Sequence, residues 1–145
     1  MPYAVGIDML AISRLRAVLE RHNDRFLRRV YTPEEVAFCR GRVHELAARF
    51  AAKEAVMKAL GTGIRGAGWR DIEVLPDRRG KPLVYLYGRA RERAETIGLS
   101  ALDVSLTHER DFAIAAVVGV REHADDPQES RERLVRRLRD RGLLE

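Results

Sequence analysis

The sequence predicts an α+β fold: one compact domain with antiparallel strands packed against a long helix, followed by an amphipathic helix at the C-terminus. Three observations support this prediction. A chain of 145 residues is too short for two ordinary domains. Hydrophobic residues make up 46% of the chain and charged residues 34%, so a core and a solvated surface can both form. Helical and strand-like apolar patterns are mixed along the chain, and successive strands favour antiparallel pairing.

The spacing of apolar residues places the individual elements. Thr32 and Glu35 flank Pro33 in the pattern of a capping box, and Gly61 marks the end of a long helix. The predicted elements, in chain order, are a strand over 3–9, a helix from 10 to about 22, a helix start at 32–35, a helix over about 43–60, strands over 69–75 and 83–87, a helix over about 89–97, and strands over 102–107 and 112–120.

The chain divides near residue 120. Residues 1–120 are expected to form the functional domain, and residues 121–145 to form a C-terminal extension. A new helix starts near Asp126, carries a narrow stripe of apolar side chains and ends before Gly142. The extension is therefore predicted to be an amphipathic helix.

The net charge of +5 comes entirely from the first part of the chain. Residues 1–120 hold 20 Lys and Arg against 15 Asp and Glu, whereas residues 121–145 hold seven of each. A basic surface indicates an acidic partner, a polyphosphate ligand or nucleic acid, and composition does not choose among them.

Several classes of protein are excluded by what the chain lacks. No apolar run reaches the roughly 20 residues of a membrane span, and the N-terminus has no signal-peptide pattern. A single cysteine, Cys39, excludes an internal disulfide framework and a cysteine-based zinc site. We therefore expect a cytoplasmic protein with no membrane partner.

One glycine motif is misleading. Gly61, Gly63 and Gly66 form a G-x-G-x-x-G string, but a dinucleotide-binding loop must follow a strand, and this string follows a long helix. We interpret it as a helix end and a loop, whose glycines still allow a ligand to approach the backbone closely.

The long helix carries charged residues at spacings that matter for chemistry. Glu54 and Lys58 are four residues apart on one face, and Arg49 and Lys53 form a second pair beside them. In an arbitrary helix such pairs are most often solvated and contribute little. The alanines between them leave the helix narrow, so that another element or a ligand could approach it.

Two further residues stand out from their surroundings. Asp8 lies in an apolar, strand-like run, where burial of a carboxylate is costly unless it is paired or binds a cation. Capping the next helix is its more common role, but with Glu54 it could supply two oxygen ligands to Mg²⁺. His108 follows Thr107 at the end of a strand, where an imidazole can donate to a phosphate or simply be an exposed turn residue.

Three segments together resemble the holo-acyl-carrier-protein synthases, the small 4'-phosphopantetheinyl transferases. They are GIDMLAISR over 6–14, RFAAKEAVMKALGTG over 49–63 and SLTH over 105–108. Shorter strings at 71–74 and 80–82 also agree, and the resemblance extends over about residues 3–120. It implies the α+β fold of these transferases.

The resemblance also implies a reaction and its residues. The enzyme would transfer 4'-phosphopantetheine from coenzyme A to a serine of apo-acyl carrier protein, releasing 3',5'-ADP, in fatty acid biosynthesis. Asp8 and Glu54 would bind Mg²⁺, and these two would be catalytic together with Lys58 and His108. The residues implied to contact coenzyme A are Arg49, Lys53, Lys58, Gly61, Gly63, Thr107 and His108. The resemblance further implies a homotrimer with active sites at the subunit interfaces.

A row of arginines gains a candidate partner from the resemblance. Arg14, Arg21, Arg25 and Arg28 lie outside the apolar stripe of the first predicted helix and would share a face if that helix extended far enough. Acyl carrier proteins are acidic, so this row is expected to bind the carrier protein. Solvated arginines are the alternative, and Ser13 replaces an acidic residue of many relatives beside Arg14.

Two other functions fit the basic charge: a nucleic-acid-binding module and a non-catalytic scaffold for an acidic carrier protein. Nucleic-acid binding predicts aromatic stacking residues on the basic face, and only Phe26 lies near the arginines. A scaffold has no need of Asp8, Glu54 and Lys58. We therefore expect an enzyme with no nucleic-acid partner, whose proton acceptor is either Glu54 or a metal-bound water.

Overall fold

The structure of the protein, a computed structural model, describes residues 2–145 except for the side chain of residue 65. The elements are β1 (Tyr3–Ala11), α1 (Ile12–Val30), α2 (Pro33–Cys39), α3 (Val43–Leu60), α4 (Gly63–Gly66), β2 (Ile72–Pro76), β3 (Pro82–Leu86), α5 (Gly88–Thr96), β4 (Leu99–His108), β5 (Phe112–Arg121) and α6 (Pro127–Asp140). A short 3-10 turn at Trp69–Asp71 precedes β2.

Two separate antiparallel sheets form. β5 is the centre of a three-stranded sheet in the order β1-β5-β4, whereas β2 and β3 form a hairpin of their own. Helix α3 packs on one face of the larger sheet and supplies much of the buried core. The predicted α+β class, with antiparallel strands against a long helix, is confirmed.

β1 and α3 approach so closely that only glycine fits at position 6. A Cβ atom on Gly6 would lie 1.8 Å from the carbonyl oxygen of Ala55. Alanines on the facing side of α3 make this approach possible, since they add no bulk between the backbones. Asp8 lies two residues beyond Gly6 and points to the same side of the strand, so it faces the helix.

The opposite face of the larger sheet is open. Tyr3, Val5, Ile7 and Met9 project from it, each with 61–64% of its surface exposed. Phe112 and Val118 of β5 are also about half exposed. Single apolar residues on a surface are ordinary, but a contiguous patch of this kind indicates an interaction site.

Several element boundaries differ from the predicted ones; β4, for example, begins at Leu99 rather than 102, and the short helix α4 lies in the predicted glycine loop. β1 continues to Ala11 because it pairs with β5 as far as Phe112, so α1 begins two residues later than expected. α1 then extends to Val30, with non-helical backbone angles at His22 that divide it by a kink. The residues before β2 form a 3-10 turn rather than strand, because the Gly68 N–H donates to the Asp71 carboxylate.

The C-terminal helix α6 forms close to its predicted position. Asp126 caps its first turn, accepting a hydrogen bond from the Gln128 N–H at 2.8 Å. At the other end, Gly142 adopts a φ of 69°, and the Leu143 N–H donates to the Leu138 carbonyl at 2.9 Å. These bonds form the Schellman arrangement that ends many helices.

Two further observations concern the whole described chain. Among residues 2–145, no helix is both long enough and apolar enough to cross a membrane. The single cysteine, Cys39, ends α2 and is completely buried.

Candidate active site

Asp8 of β1 and Glu54 of α3 face each other where strand and helix are closest. Burial, then the hydrogen bond to Asp8 and its negative charge, raise the pKa of Glu54 to about 7; Lys58 and Arg14 oppose this shift. Two carboxyl groups so close resist carrying two negative charges unless a cation lies beside them.

Lys58 is the nearest positive charge on the same helix face. Its Nζ donates to Asp8 Oδ1 at 3.2 Å and to the Ile7 carbonyl oxygen at 2.9 Å. The Lys58 side chain is 57% exposed, whereas that of Asp8 is only 11% exposed. The ammonium group is therefore held beside the carboxylates and still accessible to a ligand.

The residues present fit a hard divalent cation. Asp8 Oδ2 is buried and receives no hydrogen bond from any donor in the described part of the chain. A cation bound to Asp8 and Glu54 would satisfy this oxygen and remove the repulsion between the carboxylates. Mg²⁺ needs only one or two protein carboxylates, since water and phosphate oxygens complete its shell. No cluster of three or more acidic, His or Cys ligands occurs among the described residues.

A second group of predicted residues surrounds a cavity. Arg49 and His108 both line a space of about 430 Å³ between the start of α3, the end of β4 and the β2–β3 hairpin. Arg78 adds a third basic group, Phe38 and Pro82 supply apolar walls, and the acidic residues Glu45 and Asp77 also line the cavity. The cavity can therefore accept a ligand that combines a flat apolar group with an anion.

Arg49 is held by contacts within the protein, whereas the sequence predicts a residue that contacts a ligand. Its side chain is 3% exposed, its Nε donates to the Val74 carbonyl at 3.0 Å, and its Nη1 pairs with Glu45 at 2.6 Å. The guanidinium also lies 4.5 Å from the centre of the Phe38 ring. Arg49 thus forms a fixed wall of the cavity.

Lys53 projects about 100° around α3 from Glu54, and the structure does not bring it to either site. It is fully buried, and its Nζ donates to Glu35 at 2.7 Å and to the carbonyls of Trp69 and Ile72. Burial lowers its pKa, and Glu35 opposes the shift. All three N–H donors are used, so the predicted contact between Lys53 and a coenzyme A phosphate has no geometric support.

Thr107 and His108 point to opposite faces of the sheet. Successive side chains of a strand alternate, so His108 faces the cavity and Thr107 faces the open side. One chain cannot use both in a single site. The two predicted loop glycines lie beyond Lys58, where Gly61 ends α3 and Gly63 begins α4, both with positive φ.

The four predicted arginines are all exposed on α1, but the kink at His22 divides them into two pairs. Arg14 is near enough to Glu54 for its charge to oppose the rise in that residue's pKa. Beyond the kink, Arg25 borders a groove whose apolar residues are Val18 and Phe26. The arginines therefore flank the carboxylate pair and a groove, rather than one straight row.

Two residues that contact predicted site residues have no such role predicted from the sequence. The sequence pattern identifies Glu35 only as part of the helix cap, although its carboxylate also forms the buried ion pair with Lys53. His44 has no predicted role in a site, yet its ring centre lies 5.3 Å from that of His108. Only the local cap was visible in the sequence, because both missed contacts join residues far apart in the chain.

Comparisons with known proteins show the family of the chain. The sequence model of the 4'-phosphopantetheinyl transferase superfamily matches residues 4–117. The holo-acyl-carrier-protein synthase of Herpetosiphon aurantiacus is 47% identical over 122 residues, which cover 79% of this chain and 96% of the relative. That of Moorella thermoacetica is 48% identical over 116 residues, covering 78% and 90%.

Solved structures of holo-acyl-carrier-protein synthases are also similar to this chain. The Helicobacter pylori holo-acyl-carrier-protein synthase in complex with coenzyme A is 32% identical and has a TM-score of 0.74, covering 80% of this chain and 99% of its own. The Neisseria meningitidis synthase is 35% identical and has a TM-score of 0.76, covering 81% and 98%. The chain therefore belongs to the holo-acyl-carrier-protein synthases of the 4'-phosphopantetheinyl transferase superfamily.

Proposed function

We propose that this enzyme transfers 4'-phosphopantetheine from coenzyme A to a serine hydroxyl of apo-acyl carrier protein, releasing 3',5'-ADP, with Mg²⁺ bound by Asp8 and Glu54. The observation that carries the proposal is the carboxylate pair beside Lys58, with one buried oxygen that lacks a donor. Residues 1–120 form the transferase domain, and residues 121–145 are an extension. The reaction takes place in the cytoplasm, in fatty acid biosynthesis.

The chemistry needs charge neutralisation and positioning. The serine oxygen attacks the β-phosphorus of the pyrophosphate, the bond to the 3',5'-ADP oxygen breaks, and negative charge grows on that leaving group. When bound, Mg²⁺ supplies positive charge to the pyrophosphate oxygens. Lys58 neutralises charge on the same phosphates through its exposed ammonium group. In the metal-free protein the pKa of Glu54 is about 7. A bound cation would lower that pKa, so the acceptor of the serine proton is either Glu54 or a water that the cation would hold.

The cavity lined by Arg49 and His108 is suited to the nucleotide end of coenzyme A. Coenzyme A carries a pyrophosphate and, across its ribose, a 3'-phosphate. Arg49 lies five residues before Glu54, which corresponds to about 7.5 Å along the helix. Two anionic groups of one ligand can thus meet two separate basic clusters.

The arginines of α1 are suited to an acidic carrier protein. They extend from Arg14, beside the carboxylates, to the groove at Arg25. Exposed charges of this kind steer and orient a partner of opposite charge. We expect Arg14→Glu with Arg21→Glu to raise the KM for carrier protein by roughly tenfold and to leave the KM for coenzyme A nearly unchanged. Equal changes in both constants would contradict this docking role.

The open sheet face is suited to a homotrimer with sites between subunits. Its apolar residues border a groove of about 620 Å³ that includes Val5, Ile7 and Val118. Association of copies through this face would bury the patch. It would also place Thr107, which is separated from His108 within one chain, at the boundary with a neighbouring subunit.

Mass spectrometry of the carrier protein tests the proposed reaction. The protein, coenzyme A, Mg²⁺ and an apo-acyl carrier protein are mixed, and we expect the carrier to gain the mass of one phosphopantetheine group. A carrier whose acceptor serine is replaced by alanine is the control, and chelation of the metal should stop the gain. A scaffold would bind the carrier without changing its mass, so no adduct with any cognate carrier would refute the proposal.

A further inference from the structure

Helix α6 is strongly specified by its sequence but packs on nothing that buries it. Besides its caps, it has an ion pair between Arg133 and Glu129 at 2.8 Å. Yet none of its residues, all of which the structure describes, is buried, and Leu134 is 48% exposed. A lone helix of 14 residues is only marginally stable in water. A packing partner from outside the chain would therefore stabilise it.

The reaction of the family does not depend on this helix. The family's sequence model ends at residue 117, before α6 begins. The Herpetosiphon aurantiacus relative is matched over 96% of its own length, and that match covers only 79% of this chain. The helix is an addition to a domain of the usual size, so its contribution should be to binding rather than to chemistry.

Charge is distributed unevenly around α6. Leu134, Val135 and Leu138 form its apolar stripe, and positions three or four residues away surround that stripe. The polar residues in these surrounding positions are Ser130, Arg131, Glu132, Arg137, Arg139 and Arg141. The other polar positions of the helix hold two arginines and two acids. The apolar stripe thus has a strongly basic rim, although the extension as a whole is neutral.

The apolar stripe and basic rim of α6 resemble the groove on α1 in the residues that form them. Val135 of α6 and Leu144, beyond the end of the helix, border a groove together with Arg131, Arg136 and Arg139, although Glu132 and Asp140 also reach it. On α1, two apolar side chains lie between arginines in the same way. We propose that α6 is an accessory docking surface for the acidic acyl carrier protein, with the stripe contacting apolar side chains and the rim contacting carboxylates. This inference rests on the proposed function.

The basic rim argues against two other occupants. A second α6 would bring two rims of like charge together, which is repulsive. Binding flat on a membrane calls for a wide apolar face, commonly with aromatic residues, and α6 has a narrow stripe without any. An acidic protein surface satisfies both the charge of the rim and the small size of the stripe.

The helix can reach a carrier protein bound at the carboxylates. Ala115 of β5 pairs with Asp8, and β5 ends six residues later at Arg121. The end of β5 therefore lies about 20 Å from Asp8. Helix α6 is about 21 Å long, and the five residues before it can span a further ~16 Å. Linker and helix together therefore exceed the distance.

Matched substitutions on the two sides of α6 test the inference in the full chain. Arg139→Gln removes a rim charge, and Arg133→Gln removes the same charge from the opposite side. We expect Arg139→Gln to raise the KM for carrier protein roughly threefold, with kcat and the KM for coenzyme A unchanged. Arg133→Gln should leave all three constants unchanged. Added salt should reduce the difference between Arg139→Gln and the parent chain.

A chain that ends at Arg121 gives a second measurement, because it should show the same selective rise in KM with a larger magnitude. Equal constants for the truncated and full chains would overturn the inference. Two other results would also overturn the inference if the KM for carrier protein did not change on truncation. One is binding of the full chain, but not of the truncated chain, to phosphatidylglycerol–phosphatidylcholine vesicles. The other is a lower oligomeric mass after truncation. Absence of transfer by the full chain would instead refute the proposed function itself.

Discussion

Helix α3 carries two lysine–carboxylate pairs that differ in almost every physical respect. Lys53 and Glu35 have no exposed side-chain surface and lie 2.7 Å apart. Lys58 and Asp8 lie 3.2 Å apart, with the lysine more than half exposed. The lysines are five residues apart in one motif, so the sequence presents them as equivalent while the fold gives them different environments.

The buried pair is completely satisfied by hydrogen bonds. Glu35 accepts from Lys53, from the Thr32 N–H at 3.0 Å and from the Val74 N–H at 3.0 Å. Next to it, Glu73 accepts from the hydroxyls of Thr32 and Tyr87. A buried ion pair with every group partnered stabilises one arrangement of its surroundings and has no capacity left for a ligand.

That arrangement positions the β2–β3 hairpin. The strands of the hairpin do not pair with the larger sheet, to which the exposed ion pair between Lys81 and Asp103 connects them, and two strands alone are only marginally stable. Arg49 donates to the Val74 carbonyl and Lys53 to the Ile72 carbonyl, so two basic residues of α3 hold β2 directly. The hairpin forms a wall of the cavity, and the buried pair therefore influences ligand binding without touching the ligand.

The pair at the surface is incomplete by comparison. Asp8 retains an oxygen without a donor, and Glu54 beside it has a raised pKa. Unsatisfied groups of this kind cost stability in the free protein and become useful when a cation or substrate arrives. The comparison teaches that satisfaction of hydrogen bonds, rather than residue type, separates the structural lysine from the one in the candidate site.

Removing Glu54, the carboxyl group beside the exposed pair, should have the largest effect on activity. We expect Glu54→Ala to reduce the transfer rate by about 10³-fold or more, because metal binding and charge neutralisation are both impaired. The fold should survive, since Glu54 is only partly buried. Initial rates from carrier mass and thermal unfolding curves check the two statements. A fully active Glu54→Ala enzyme would refute the metal assignment.

Breaking the buried pair should have the largest effect on stability. Lys53→Met leaves the Glu35 carboxylate buried without its cation, and we expect the free energy of unfolding in urea to fall by about 3–5 kcal/mol. Lys53→Met combined with Glu35→Gln should recover much of this loss. If Lys53→Met had no effect on stability but abolished coenzyme A binding, the original expectation of a phosphate contact would be restored.

Removing the exposed lysine should produce the opposite pattern. We expect Lys58→Met to lower kcat by roughly 10²-fold, because a positive charge is lost where the leaving group becomes negative. The free energy of unfolding should change by less than about 1 kcal/mol, since partly exposed ion pairs contribute little. Steady-state kinetics and urea unfolding of the same preparation measure both. A stability loss as large as that of Lys53→Met would remove the distinction between the pairs.

The smallest expected effect is a pH dependence of the metal-free protein. The folded pKa of Glu54 is about 7, above its ordinary value of 4.5, so the folded state binds more protons between these values. Stability should therefore decrease as pH rises from about 4.5 to 7. Relative to Glu54→Gln, the loss should be about 1 kcal/mol, since the partly exposed carboxyl is screened by solvent.

Urea unfolding at several pH values measures this dependence. Adding Mg²⁺ at neutral pH should restore the stability of the parent chain but not that of Glu54→Gln. A parent chain whose stability is independent of both pH and Mg²⁺ over this range would contradict the raised pKa.

The sequence was sufficient for the parts of the site that depend on local spacing. The pairing of Glu54 with Lys58 follows from helix periodicity, and the α+β class follows from the order of patterns. The division between Thr107 and His108 also follows from strand alternation. These features need no knowledge of which distant segments meet.

The other features of the fold and the site depend on long-range packing, so local spacing in the sequence does not predict them. Whether Lys53 faces a ligand or a protein interior depends on where β2 lies, and local spacing in the segment between α3 and β2 does not determine that position. The kink at His22 likewise has no local cause in the sequence, such as a proline or glycine. The extent of β1 depends on its pairing with β5, about a hundred residues away.

The state of Cys39 has a practical consequence for measuring this protein. Burial raises the pKa of its thiol to about 11, and the side chain has no exposed surface, so thiol reagents should leave it unmodified in the folded state. A cysteine introduced at one exposed position would then be the only site to take up a maleimide dye. The natural chain is thus already suited to single-site fluorescence labelling, and a dye can be placed on α6 without first removing a cysteine.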